Sequence, residues 1–519
     1  MKSVKYSIFS LSLIACLTFY GCEKFLDRHP LSELSPGSFF GDKKDMNTWI
    51  TGCYTALQST LSRAHIEWGD LRSDLYGWSG WNITQTYLND LDAANSDFSW
   101  QNLYRVIARC NTAIDRFPEI PGATESDFND YLGQCYGLRA LMYFYAIRTW
   151  GDVPLEDRTW DGFLESARKP RAPVSDIKTL ILSDLDESLK RLNASVTGTR
   201  KWYFNRAAAY ALKTDVHIWF GEYEQALEAS EWFFTGTNLN NFRLISNIDD
   251  FRTIFIDPTA STETIFSLYW NYAESSGCAW CQRLGAEDTN NPYKISKYLW
   301  NHFIQRLYSG QGDDGRFANY VDTVAVSNAS GTVGNRPRIN ESSYPGAKVM
   351  SNKYSPRPVS TNPPTSGRWF TNQNNSDCVI LFPIYRFADV YTLRASALNG
   401  VGRGTEALEL VNDIRQRVGY KADARLEADN NNKKAVEWII LEERKLEFFA
   451  EGRRWFDLVR SGRDVLVEVM DPVLRDRQRE RTVPETGWAH DGRMYAPVYY
   501  REFEANPALK QNQPYSGGE

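Results

Sequence analysis

From Phe128 the apolar residues Tyr131, Cys135, Leu138, Met142 and Tyr145 recur at alternating steps of three and four. That spacing predicts a long helix, and Thr124 with Asp127 marks its start as a cap-like pair. The other face carries Leu132, Tyr136, Phe144 and Ile147, so the helix should be covered on more than one side. Gly151 and Pro154 end it. A second helix is predicted from Val174 to Leu192, with Ser175 as its cap. Asn205 can then cap a stripe of Ala208, Leu212, Val216 and Trp219; Gly221 breaks that stripe, and Tyr223, Ala226, Ser230 and Phe233 begin the next.

The small residues where these two short helices cross, in the order G-x-Y-x-x-A, resemble a tetratricopeptide repeat. A similar hairpin recurs from Phe387 to Leu398, turns through "NGVGRG" and continues with Ala407, Val411, Ile414 and Val418. One such pair cannot bury its own faces, so the pattern predicts a mainly α protein, a tetratricopeptide-like α-solenoid of about four helix pairs. Between 238 and 377 the pattern changes to Asn, Ser, Gly, Pro and aromatics, with short β-like runs such as "TIFSLYW". The aromatics Tyr269, Trp270, Tyr272, Trp280 and Trp300 argue against disorder there. An irregular, loop-rich region packed on the solenoid is the expectation.

The N-terminus adds a compartment. Lys2 and Lys5 precede "YSIFSLSLIACLTFYGC", an apolar run too short to span a bilayer that ends in a small residue and a cysteine, as lipoprotein signal peptides do. Cys16 and Cys22 both qualify as the acylated residue. Cys22 is favoured, because charged sequence begins directly after it, whereas cleavage at Cys16 would leave an apolar stub. The chain thus divides into a signal peptide, 1–21, and a single domain, 22–519, made of a helical part 22–237, the irregular region 238–377 and a helical part 378–519.

At 519 residues with a net charge of -6, the chain shows no block of Lys and Arg to neutralise phosphates, so nucleic acid is not an expected partner. The six remaining cysteines, Cys53, Cys110, Cys135, Cys278, Cys281 and Cys378, are too few for a disulfide framework. "CAWC" at 278–281 lacks a thioredoxin-like setting or a second ligand pair, and reads as a loop-stiffening disulfide or inert thiols. The five histidines are scattered. No metal, cofactor or catalytic residue is indicated. Glu442, Glu443, Glu447 and Glu451, set among Arg444, Lys445 and Arg453, read as ion-paired or solvated helix faces. "GQGDDGRF" at 310–317 lacks the downstream Glu of a calcium loop, which leaves Asp313 and Asp314 as turn residues. Trp150, Trp219 and Trp455 fall on helices and are expected in the core.

"DLYGWSGWN", Asp74 to Asn82, is different, because Trp78 and Trp81 stand among glycines and a serine without regular spacing. A pyranose has apolar C–H faces and polar edges. Flat indoles beside Arg72, Asp74 and Asn82, within an aromatic loop 68–82, could serve both. The alternative is that the tryptophans plug the end of the solenoid.

"CEKFLD", "LRALMYFYAIRTWGDVPL", "YFNRAAAYALKTDVHIWFGEYEQAL", "YRFADVYTLRASALNG", "ILEERKLEFFAEGRRWFDLVRSG" and "NPALKQNQPY", in this order along nearly the whole chain, resemble the SusD/RagB lipoproteins. The resemblance implies a lipid-anchored protein on the outer face of a Bacteroidetes outer membrane. Such a protein caps a SusC-like TonB-dependent β-barrel transporter and captures an oligosaccharide or polysaccharide. It also supports Cys22 over Cys16, and it implies ligand contacts from the loop before the second helix and from the middle segment, where Tyr272 and Trp280 are the matching candidates. A peptide-capturing member of the same family is the alternative. A surface glycosidase is less favoured, because it would need two convergent carboxylates with separated pKa values.

Overall fold

The computed structural model describes residues 39–78, 84–160, 168–270, 293–309, 314–316, 332–333, 336–337, 381–422, 425–427, 432–479 and 493–515. Cys16, Cys22, Cys278, Cys281, Cys378 and Asp313 lie outside them.

Helix α1 (Lys43–Gly69) starts at Asp42, whose carboxylate accepts from the Lys44 amide while the Asp45 carboxylate accepts from the Asp42 amide. Its buried stripe runs through Met46, Ile50, Cys53, Leu57 and Leu61. Helix α2 (Gln101–Arg116) packs on α1, and α3 (Glu125–Trp150) packs on both. The Asp127 carboxylate accepts from the Thr124 amide at 2.8 Å, as the cap-like pair predicts. From Leu138 to Trp150 every residue of α3 is buried. Gly137 is part of the reason: a Cβ there would lie 2.0 Å from the Phe204 ring, so only glycine lets that ring cross the helix.

Helices α4 (Val174–Arg191), α5 (Arg206–Trp219) and α6 (Tyr223–Glu231) continue the stack. Asn205 caps α5 as expected, accepting from the Ala208 amide at 3.0 Å. Ser175 does not cap α4. That helix begins one residue earlier, where Asp152 accepts from the Val174 amide, and Ser175 already lies in the first turn. Within the region read as irregular, Ser296 caps a helix α7 (Lys297–Tyr308). Helices α8 (Phe387–Gly400), α9 (Gly404–Arg417) and α10 (Lys433–Glu447) resume the stack, with α8 against α6. The short α11 (Arg454–Arg460), α12 (Arg463–Arg479) and α13 (Tyr500–Ala505) close the chain. The pairs α5/α6 and α8/α9 are the two short-turn hairpins expected, turning through 220–222 and 401–403, while α1/α2 and α3/α4 pack side by side but are joined by the long connections 70–100 and 151–173. Trp150 and Trp455 are core residues, whereas Trp219 is half-buried against Phe144.

Strands are short and pair antiparallel: β1 (Tyr76–Trp78) with β5 (Tyr293–Ile295), β2 (Val153–Pro154) with β3 (Arg171–Ala172), β4 (Thr264–Leu268) with β8 (Phe382–Arg386), and β6 (Thr332–Val333) with β7 (Arg336–Pro337). The β4–β8 pair ends on a buried ionic network. Arg386, 1% exposed, pairs with Glu263, Glu447 and Glu451. Arg417 pairs with Glu263 and Glu447. Arg316 pairs with Asp314, Glu443 and Glu447. The ion pairing expected of these glutamates is therefore present, with Glu443, Glu447 and Glu451 interior; Asp314 is a turn residue as expected, accepting from the Arg316 amide at 3.0 Å, and is also a buried ion-pair partner of the Arg316 side chain.

His65 on α1 lies in the same interior. Its Nδ1 is 2.6 Å from the Tyr145 hydroxyl and its Nε2 is 2.6 Å from the Glu451 carbonyl. The carbonyl requires an Nε2–H donor, and in the neutral ring Nδ1 then accepts from the Tyr145 hydroxyl. Burial, with Arg453 nearby, pushes the imidazole well below its usual range. The unfolded chain binds this proton at about pH 6.5 and the folded chain does not, so the stability His65 contributes is complete above that pH and is lost as pH falls. Below about pH 6.5 this one group should cost about 1.4 kcal/mol per pH unit. His65→Gln preserves a donor and an acceptor, and denaturant curves from pH 7 to 5 should show its stability falling less steeply by that amount. An unchanged slope would mean that His65 is protonated in the fold.

Candidate functional site

The segment 70–78 leads from α1 into β1 and is braced from the C-terminal third of the chain. Asp70 accepts backbone N–H bonds from Gly452, Arg453 and Arg454 at 2.8, 2.8 and 3.0 Å, and so caps α11. Gly69 crosses the Gly452 backbone so closely that a Cβ would lie 2.0 Å from the Gly452 oxygen. Arg477 of α12 donates to the carbonyls of Ser73, Tyr76 and Tyr87 and lies 3.9 Å over the Tyr87 ring. From the other side, the Ser296 amide donates to the Leu75 carbonyl at 2.8 Å.

Two of the residues expected at a sugar's edge belong to this bracing. Arg72 is 1% exposed; its Nε donates to Asn89 at 2.8 Å, its other nitrogens donate to the carbonyls of Arg493 and Met494, and it lies 3.9 Å over Trp455. Burial lowers its pKa to about 10. Asp74, also buried, accepts from Arg454 at 2.8 and 3.1 Å. Burial pushes the Asp74 carboxyl up, but Arg454 and Lys445 more than reverse this and hold it at about 2. Neither side chain has a face left for a hydroxyl. The expectation that Arg72 and Asp74 bind ligand is corrected: both are structural.

Trp78 closes β1. It is half-buried, with its ring tilted 40° against Tyr87 at 5.4 Å. The β1–β5 register sets Trp78 opposite Tyr293. Trp78 precedes 79–83, which hold Trp81 and Asn82, and Tyr293 follows 271–292, which hold Tyr272 and Trp280. Those four residues lie outside the described residues. The described chain ends that border their two segments are neighbours across this strand pair.

Beside the pair lies a shallow depression lined by Tyr76, Tyr87, Lys297, Tyr298, Asp476 and Arg477. The Tyr298 hydroxyl donates to Asp476 at 2.5 Å, and Lys297 pairs with the same carboxylate. This sets a tyrosine beside a Lys–Asp pair, but the depression itself holds only about 20 Å³, room for a water and not for a sugar ring, so it offers an edge to a ligand lying over it rather than a pocket. The sequence reading did not include Tyr298, Lys297 or Asp476. A helical pattern over 296–308 would have brought the first two to the end of β5, but nothing in the sequence brings Asp476 there. Among the described residues no helix is long and apolar enough to cross a membrane.

Residues 270–515 match the model described as the SusD family, and residues 24–217 match one described as starch-binding associating with outer membrane. SusD-like protein P38 of Formosa agariphila is 30% identical over 99% of this chain and 100% of its own. SusD-like protein P2 of the same organism is 26% identical over 88% of this chain and 90% of its own. Among solved structures, a laminarin-binding SusD-like protein superposes with a TM-score of 0.69 at 20% identity, covering 92% of this chain and all of its own. A protein from Bacteroides vulgatus described as a putative sugar-binding protein gives 0.68 at 20%, covering 92% and 99%.

Proposed function

Because the chain belongs to the SusD family, we propose that it is a lipid-anchored glycan-binding protein of the cell surface, which captures oligosaccharide and passes it to a SusC-like TonB-dependent β-barrel without catalysing a reaction. The observation that carries this reading is the half-exposed Trp78 at the end of a rigidly braced strand, beside a depression lined by Tyr298, Lys297 and Asp476. Trp78, Trp81, Tyr272 and Trp280 would stack on sugar faces, with Asn82 and Tyr298 at the polar edges. Braced backbone beneath a half-buried aromatic limits the ordering cost of binding. Cys22 would carry the acyl chains.

Capture followed by handover suits weak binding, and a Kd near ~1 mM corresponds to about -4 kcal/mol. Losing one hot-spot tryptophan costs about 2 kcal/mol or more. Trp78→Ala and Trp81→Ala should therefore each make binding nearly undetectable by calorimetry against the best ligand of a glycan array, while Trp78→Phe retains part of it by keeping the Tyr87 contact. An array that also carries peptides and returns only peptides would replace the glycan reading with peptide capture. A glycan affinity indifferent to both tryptophans would move the site elsewhere.

Anchor and partner are tested together by gentle extraction of membranes and affinity purification. A β-barrel should co-purify with the wild type, and Cys22→Ala should shift the protein to the soluble fraction. A variant that stays in the membrane with Cys16 acylated would overturn the Cys22 assignment. Recovery without a barrel on every growth substrate would overturn the partner.

A further inference from the structure

Cys53, Cys110 and Cys135 sit on three different helices, α1, α2 and α3, each on the buried stripe of its helix. Their sulfur atoms all lie within 4.8 Å of one another, and none of the three residues has any exposed surface. The sequence gives no hint of this, since the three are separated by dozens of residues and match no ligand spacing.

From this arrangement we infer that the three thiols form a binding site for one soft, monovalent d¹⁰ cation of the Cu(I) class. An ion about 2.3 Å from each of three sulfurs in a plane requires sulfurs about 4 Å apart, and separations bounded by 4.8 Å reach that with small side-chain adjustments. Thiolate ligands select Cu(I) over hard cations. The nearby Tyr54 hydroxyl is already committed, donating to Gln134 at 2.7 Å and accepting from the Phe204 amide at 2.8 Å. A closed three-sulfur site suits trigonal coordination better than the four ligands of structural zinc.

Charge is compatible as well. Binding releases the thiol protons to solvent and leaves three thiolates around one cation, a net charge of about -2 if all three ionise. The Arg109 guanidinium acts on Cys53 and offsets part of it, while Arg139, which acts on Cys110, is already paired with Asp184. Arg109 is fixed by its bond to the Gly52 carbonyl, and Arg139 by its bonds to Asn111 and Asp184.

The test uses the full chain, reduced and metal-free, with Cu(I) as the probe under anaerobic conditions and bicinchoninate as competitor. Loading is attempted both by long incubation of the folded protein and during refolding. One equivalent of Cu(I) should be withdrawn from the competitor by at least one route, and X-ray absorption should show three sulfurs at about 2.3 Å. Cys53→Ser, Cys110→Ser and Cys135→Ser should each weaken uptake about 100-fold or more, with folding checked by circular dichroism. The triple variant Cys278→Ser/Cys281→Ser/Cys378→Ser should bind as the wild type does. If a cluster variant fails to fold, the sulfur count of the wild type decides. No uptake by either route, uptake that survives loss of a cluster cysteine, fewer than three sulfurs, or a disulfide within the trio would each overturn the inference and leave the thiols as core filler.

Discussion

Replacing Arg386 with methionine should destabilise the protein by about 3–5 kcal/mol, because it strips the cation from a buried cluster and leaves its carboxylates behind. Glu263 and Glu447 retain Arg417, while Arg386 grips both carboxylate oxygens of Glu451, at 2.7 and 2.9 Å. Arg386→Met/Glu451→Gln, which removes one of the stranded charges, should recover part of the loss. Urea unfolding of the two variants beside the wild type measures both effects. A single variant within about 1 kcal/mol of wild type would mean that the network relaxes or admits water, since such pairs contribute little when solvated.

Asp70→Ala should be comparably severe. It removes the acceptor for three buried backbone N–H groups, each costing about 1–3 kcal/mol when left unpaired, so a loss of about 3–5 kcal/mol is expected. Asp70→Asn keeps one acceptor oxygen and should lose less. Because Asp70 also sets the path of the chain into β1, the alanine variant, where it folds, should bind glycan more weakly although Asp70 is buried and touches no ligand. Full stability in urea together with unchanged affinity would show that the cap is dispensable.

The periodic helices were the most legible part of the chain. Residues 125–150, 174–191, 206–231 and 387–417 follow from apolar spacing, and the stack of hairpins follows from the need of each pair to cover its neighbour. Other helices carried the same signal unread: Leu299, Trp300 and Phe303 on α7 are spaced as a helix face, but lie in a stretch whose overall composition suggests loops. Arg72 and Asp74 illustrate a different limit. Their residue types fit a sugar edge as well as a buried brace, and what decides between these is a set of partners 380 or more residues away, Arg454 for Asp74 and the carbonyls of 493–494 for Arg72. The glutamates of α10 meet the same limit in part. Their helical spacing shows ion pairing, but their depth depends on Arg386 and Arg316, which come from other segments. The three-thiol cluster has no local signature at all, since each cysteine looks like an ordinary core residue of its own helix.

The cap that Asp70 places on α11 also has a consequence in time. Its two sides are 382 residues apart or more, so the first helix cannot be locked until nearly nine-tenths of the chain has been made. Contacts of such long range close late and slow the final step of folding. A chain exported N-terminus first would therefore emerge with its leading helices still unlocked, open to chaperones and transport machinery. It would become a finished fold only once its last segments had cleared the membrane.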